Sequence, residues 1–181
     1  IDDTLRVWKD GWNYHGATHR DAHPADTVYT LRQALAVSSN IALARMITDG
    51  YNGSAKKFVN KLKRMGLCDS IDYIIPGAHQ PRINIPKDTV TISRMAYGYS
   101  VELSPLQVLT FYNGIANDGR MISPVLVTEV KDGKTTIESF ETQTIKSSLC
   151  SKQTLEDIRA SLLDVVWDND LGTAAMNKWR Q

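Results

Sequence analysis

Cysteine is scarce in this 181-residue chain, charge is balanced, and long apolar runs, internal repeats and low-complexity tracts are missing. Cys68 and Cys150 carry no spacing signature, so whether they pair in an oxidising compartment stays open. With 21 Lys and Arg against 20 Asp and Glu, the formal charge of +1 gives no long-range attraction to nucleic acid or an anionic membrane, and neither is expected as a partner. No stretch approaches the roughly 20 apolar residues that span a bilayer, and no signal-peptide pattern is present. The first residue is Ile1 rather than Met, so the chain is expected to be a piece of a longer protein, and a missing anchor says nothing about the parent. What is there is a composition 42% hydrophobic, enough to bury a core in one globular unit or a large piece of one.

The chain is organised around Ala34-Leu35-Ala36-Val37-Ser38-Ser39-Asn40-Ile41-Ala42-Leu43-Ala44, where two apolar half-helices meet at three small polar residues. Such residues favour local backbone hydrogen bonds over a helix interior. The entering helix starts at Thr30-Leu31-Arg32-Gln33, which has capping-box spacing, and puts Leu31, Ala34 and Leu35 on one face. The leaving helix runs from Ile41 to a left-handed stop at Gly50. The two are expected to form a corner from which Ser38, Ser39 and Asn40 project together. From these residues alone, two readings stay open: Ser39 or Asn40 as a plain N-cap, or the three as a site.

Upstream, residues 1–27 show no sustained period and read as a surface loop with one short strand near residues 5–8. His15, His19 and His23 fall four apart, which on a helix would make a zinc-ligand stripe; Gly16 and Pro24 argue against that helix, and no Cys joins them. Trp8, Trp12 and Tyr14 either form a sugar-stacking platform or anchor a loop to a core. Downstream, a third helix is predicted over 54–65, capped by Ser54, burying Phe58, Leu62 and Met65, and stopped by Gly66. Its Lys56, Lys57, Lys61, Lys63 and Arg64 read as a solvated basic face. Pro76, Pro81 and Pro86 make 74–87 an irregular connection, and 88–97 is ambiguous. Ser104-Pro105-Leu106-Gln107 is a strong helix start, with Leu109, Tyr112, Ile115 and Ala116 as the apolar stripe of a core helix ending at Gly119. Residues 125–130 and 135–140 read as half-buried strands joined by Asp132-Gly133. A last helix over 152–166 is expected to bury Leu155, Ile158, Leu162 and Val165 or Val166. A helix-rich set with one small hairpin predicts the α+β class.

The stretch Leu31-Arg32-Gln33-Ala34-Leu35-Ala36-Val37-Ser38-Ser39-Asn40-Ile41-Ala42 resembles the segment around the Ser-x-Asn motif of penicillin-binding protein transpeptidase domains. Asp21-Ala22-His23 is similar to the Asp-x-His segment that leads into that helix. Gly98-Tyr99, Ser104-Pro105-Leu106-Gln107 and Ile115-Ala116-Asn117-Asp118-Gly119 resemble the Gly-Tyr, Thr-Pro-Leu-Gln and Ala-Asn-Gly segments that follow. Val165-Val166 and Gly172-Thr173-Ala174 resemble the helix and turn that precede the family's third motif. The blocks keep the family's order and bracket most of the chain, and the match is to the class B, monofunctional branch.

The resemblance implies a partial transpeptidase domain: a leading region over 1–27, a helical subdomain carrying Ser-x-Asn over 28–119, and a hairpin and C-terminal helix over 120–181, with most of the central sheet lacking. It implies acyl transfer from the D-alanyl-D-alanine end of peptidoglycan stem peptides, trapped by β-lactams, on the periplasmic or extracytoplasmic side of the cell envelope. The parent would be anchored in the inner membrane and would have division or elongation proteins as partners; this segment would make no membrane contact. Ser38 would be the proton-relaying serine and Asn40 the residue that orients substrate and lysine. Ser39 takes no role, and neither cofactor nor metal is called for. Ser54-Ala55-Lys56-Lys57 fits Ser-x-x-Lys, but follows rather than precedes Ser38, and Lys134-Thr135-Thr136 lacks the glycine of Lys-Thr-Gly. With no Ser-x-x-Lys before Ser38 and no Lys-Thr-Gly after Gly172, the isolated chain is expected to be inactive. A noncatalytic module binding wall peptide or a division partner remains the alternative, with a histidine metal site a weaker third.

Overall fold

The computed structural model describes residues 4–71, 79–168 and 170–175. Along them run β1 (Thr4–Val7), β2 (Trp12–Tyr14), β3 (Ala17–His19), β4 (Thr27–Thr30), α1 (Leu31–Ala36), α2 (Asn40–Gly50) and α3 (Ala55–Arg64). Then follow β5 (Arg82–Ile83), α4 (Thr89–Met95), β6 (Val101–Glu102), α5 (Pro105–Ala116), β7 (Met121–Ile122), β8 (Glu129–Asp132), β9 (Thr135–Ser139), β10 (Thr144–Lys146) and α6 (Lys152–Trp167). Strands occur only in pairs, with no closed sheet among the described residues, so the predicted α+β class holds. Pro76 lies outside the described residues. The chain divides into two compact units, Ile1–Asn60 with Asn84–Val101 and Glu156–Gln181, and Lys61–Ile83 with Glu102–Leu155.

In the first unit, β1 and β4 pair antiparallel with Leu5 opposite Tyr29, and their alternation turns Leu5 and Val7 inward. These two join Ala34, Ile41 and Ala42 in a core, with Trp8, Trp12, Tyr29, Leu31 and Met46 packed against it. Trp8 and Trp12 therefore anchor a core, Tyr14 stacks on Trp12, and Arg45 lays its guanidinium over Trp8 at 5.3 Å from the ring centre. The short strand expected near residues 5–8 is β1, but the rest of 8–27 is not simply a surface loop, because β2 and β3 form a hairpin there. Its turn residues His15 (φ 47°) and Gly16 (φ 86°) are both left-handed, as a type I′ turn requires. No helix carries the three histidines, so they share no stripe.

The capping box at α1 is present as the spacing predicts: Thr30 accepts from the Gln33 amide, and the Gln33 side chain accepts from the Thr30 amide. Gly50 is the last residue of α2 rather than a left-handed stop, a role taken by Asn52 (φ 49°) and Gly53 (φ 65°). The ambiguous stretch at 88–97 is α4, capped by Asp88, whose carboxylate accepts from the Thr91 amide at 2.7 Å and from its hydroxyl. Arg32 of α1 pairs with Asp164 of α6, and the guanidinium holds that carboxyl below the usual range. After α6, Gly172 packs against the helix's closing carbonyls, and the Thr173 amide donates to the Ala36 carbonyl at 3.0 Å.

In the second unit, α5 begins as predicted, with Ser104 and Gln107 in a capping box and Pro105 in the first turn. Its buried face differs in part from the predicted stripe: Ile115 is buried as expected, but Leu109 and Tyr112 are 63% and 50% exposed, and Gln107, Thr110 and Gly114 are buried instead. Polar residues can take that face because each is hydrogen-bonded, Gln107 to the Asp69 carbonyl at 3.2 Å and Thr110 to the Leu106 carbonyl at 2.7 Å. Gly114 fits there because a Cβ would lie 2.9 Å from Leu149 and 3.2 Å from Met121. The β8–β9 hairpin forms at the predicted place, but every residue of both strands is exposed, so the strands are not half-buried. Cys68 and Cys150 are free thiols, and burial pushes the Cys68 thiol up.

Candidate functional site

Between α1 and α2 the three small polar residues separate into different jobs. Ser39 is buried and caps α2: its hydroxyl oxygen accepts from the Ala42 amide at 3.1 Å. The same hydroxyl donates to the Asp21 carboxylate at 2.8 Å, and the other carboxylate oxygen accepts from the Ile41 amide at 2.9 Å. Cap and carboxylate together satisfy two of the free amides that open the helix. Negative charge at that end also suits the helix dipole. Ser38 is different. It is exposed and left-handed at φ 57°, and its hydroxyl makes no hydrogen bond among the described residues. Holding an L-residue in that region costs about 1–2 kcal/mol. Asn40 is half-buried, and its amide nitrogen donates to the Arg20 carbonyl at 3.0 Å, which leaves its own side-chain oxygen outside that bond.

The three residues do not project together: Ser39 turns inward, and only Ser38 and Asn40 can meet another molecule. Ser39, given no role from the sequence, is the structural one of the three. Asp21 is the residue that sequence reasoning passed over. Its signal there was its place in Asp21-Ala22-His23, but the Asp21 carboxylate engages α2 while His23 is exposed. Ser54, the decoy serine, opens α3, where its hydroxyl oxygen accepts from the Lys57 amide at 3.4 Å.

The segment before Asp21 is fixed from the other side by His19, which is 2% exposed. Ser93 donates its one hydroxyl proton to the Val90 carbonyl at 2.6 Å. The His19 Nε2–H therefore donates to Ser93 Oγ at 3.0 Å, and Nδ1 accepts from the Tyr97 hydroxyl at 2.7 Å. Both ring nitrogens are used, an arrangement that the neutral imidazole satisfies. Among the described residues, no group of three His, Cys, Asp or Glu side chains could hold a metal ion. Burial first, and then the nearby Arg94 cation, lower the His19 pKa.

A sign follows for stability. The unfolded chain, with a histidine near its ordinary pKa of about 6.5, takes the proton before the folded chain does. The contribution of His19 is complete above that pH and is lost as pH falls through the lowered folded value. The unfolding free energy obtained from urea titrations is expected to drop from pH 7 to pH 5, by at most about 1.4 kcal/mol per pH unit from this group. His19→Gln should flatten that part of the profile; an unchanged slope would show that other groups set it.

Comparison with known proteins covers nearly the whole chain. The family described as penicillin binding protein transpeptidase domain matches residues 1–180. Among solved structures, penicillin binding protein 2X from Streptococcus thermophilus superposes with a TM-score of 0.81 at 18% identity, over 98% of this chain and 26% of that one. Penicillin binding protein 3 from Mycobacterium tuberculosis, solved in complex with aztreonam, gives 0.72 at 23% identity over 89% of this chain and 36% of that one. The transpeptidase domain of penicillin-binding protein 3 from Burkholderia pseudomallei gives 0.73 at 20% identity over 95% and 48%. The chain thus spans half or less of the length of each, and at these identities the likeness is one of fold.

Proposed function

Because the chain belongs to the penicillin-binding protein transpeptidase domain family, we propose that it is the Ser-x-Asn segment of a class B peptidoglycan D,D-transpeptidase. In that reaction a serine hydroxyl attacks the penultimate carbonyl of a D-alanyl-D-alanine stem peptide, and D-alanine leaves with a proton on its amine. An amine of a neighbouring stem then takes the acyl group and frees the serine. Ser38 passes the proton between the lysine of an upstream Ser-x-x-Lys and the leaving amine, and Asn40 orients that lysine and the substrate amide. Residues 28–119 supply the helical subdomain. The parent works on the periplasmic or extracytoplasmic side of the envelope, anchored in the inner membrane, beside division or elongation proteins.

The observation that carries this reading is the separation of duties in the motif. Ser39 caps α2 and the left-handed Ser38 backbone closes α1, so the exposed Ser38 hydroxyl itself has no structural task. Within these 181 residues no serine precedes Ser38 and no Lys-Thr-Gly follows Gly172. Alone, then, the chain has no proton to relay. Intact-protein mass after incubation with a reactive β-lactam is expected to show an adduct on the full-length protein and none on these 181 residues. An adduct on the isolated chain at Ser38 or Ser54 would overturn the assignment of the nucleophile. No adduct on either would put a noncatalytic module, binding wall peptide or a division partner, in its place.

A further inference from the structure

We propose that Asp21 is a positioning residue for the acyl-transfer step, acting on Ser38 and Asn40 through the residues beside them. The inference rests on the Ser-x-Asn reading above. Asp21 grips the motif on both sides of Asn40, by one oxygen on the Ser39 hydroxyl at 2.8 Å and the other on the Ile41 amide at 2.9 Å. Ser38 is the left-handed residue that closes α1, where its amide donates to the Leu35 carbonyl at 3.1 Å and the Ser39 amide to the Ala34 carbonyl at 2.9 Å; with Ser39 held inward at the next position, the Ser38 side chain is left exposed. The preceding carbonyl, Arg20, accepts the Asn40 amide at 3.0 Å, so one short segment sets both functional side chains. That segment is itself fixed two residues earlier, where the His19 ring is held between Ser93 and Tyr97.

A carboxylate suits this task where a neutral amide does not. Ser39 Oγ already accepts from Ala42, so its proton needs an acceptor, and Ile41 needs a second one. An asparagine offers one acceptor oxygen and a nitrogen that can only donate. Asp21→Asn keeps the size and one of the bonds, and leaves the Ser39 hydroxyl proton without its partner.

The test is a double-mutant cycle in the full-length protein, read as the rate constant for acylation by a chromogenic β-lactam. Asp21→Ala and Asp21→Asn are expected to slow acylation by roughly 10- to 100-fold, the scale of a misplacement of about 1 Å at a reacting centre. In the Ser38→Ala background the further effect of Asp21→Asn should shrink, because one of the two groups that Asp21 positions, the Ser38 hydroxyl, is no longer there. Independent, multiplying effects would overturn the proposal and leave Asp21 a stability residue only, as would normal acylation by Asp21→Asn. If Ser38→Ala itself acylates normally, the Ser-x-Asn reading fails instead. Should Asp21→Ala not fold, Asp21→Asn, which retains the bond to Ile41, carries the test alone.

Discussion

Ser38→Ala in the full-length protein is expected to lower the rate of acylation by a β-lactam by about 10²- to 10⁴-fold, the usual contribution of a positioned proton-transfer group. Its unfolding midpoint should hardly move. Both halves follow from where the hydroxyl sits. Exposed and without a partner among the described residues, it can be removed without leaving a buried group unsatisfied. Alanine keeps the Cβ, so the strain of the left-handed backbone at φ 57° is the same in both proteins. Ser38→Gly sharpens the experiment, because it relieves about 1 kcal/mol of that strain, less the entropy glycine adds to the unfolded chain. Such a variant would be at least as stable as the parent and equally slow. Loss of rate with retained or raised stability, measured by stopped-flow acylation beside urea unfolding, separates chemistry from folding. Near-normal acylation by both variants would remove Ser38 from the reaction.

Gly172→Ala is expected to destabilise the protein by about 3 kcal/mol, the upper end of the usual cost of overpacking. The reason is space, not backbone freedom. A Cβ at this position would stand 2.6 Å from the Asp164 carbonyl oxygen and 2.7 Å from those of Val165 and Asp168. None of these can swing away like a side chain. The Asp164 and Val165 oxygens accept the amides of Asp168 and Ala174, and Asp168 accepts the Gly172 amide itself. Shifting the turn would also strain the bond from the Thr173 amide to the Ala36 carbonyl, the last residue of α1 and two before Ser38. Gly50→Ala is the control: nothing lies within 4 Å of its Cβ, and it ends a helix. That change should be neutral, or stabilising by up to about 1 kcal/mol. Urea midpoints of the two variants against the parent decide the matter, and a Gly172→Ala protein as stable as the parent would show that the turn can relax.

What could be read from the chain was what local chemistry decides. Thr30 and Gln33, or Ser104 and Gln107, cap their helices through partners three residues away, so spacing alone reveals them. The β2–β3 hairpin was missed because His15-Gly16 is a weaker I′ turn signal than Asn-Gly, although Gly16 was visible. The buried face of α5 was misread for a deeper reason. Gln107 and Gly114 are inside because Asp69, Leu149 and Met121 meet them there, and Thr110 because its hydroxyl is satisfied by the Leu106 carbonyl; periodicity cannot anticipate such partners. The candidate site divides the same way. Ser38 and Asn40 stood out within one short stretch, whereas Asp21 lies eighteen residues from Ser39 and announces nothing of its grip on that hydroxyl.

The separation between Ser38 and Ser39 also bears on descent. On the proposed reading one serine answers to the fold and its neighbour to chemistry, so selection can act on each without the other. A lineage released from catalysis would shed Ser38 first, since glycine there relieves strain, while Ser39 and Asp21 would persist for as long as α2 must start where it does. A homologue with the second serine but not the first would then be a folded descendant that has stopped turning over.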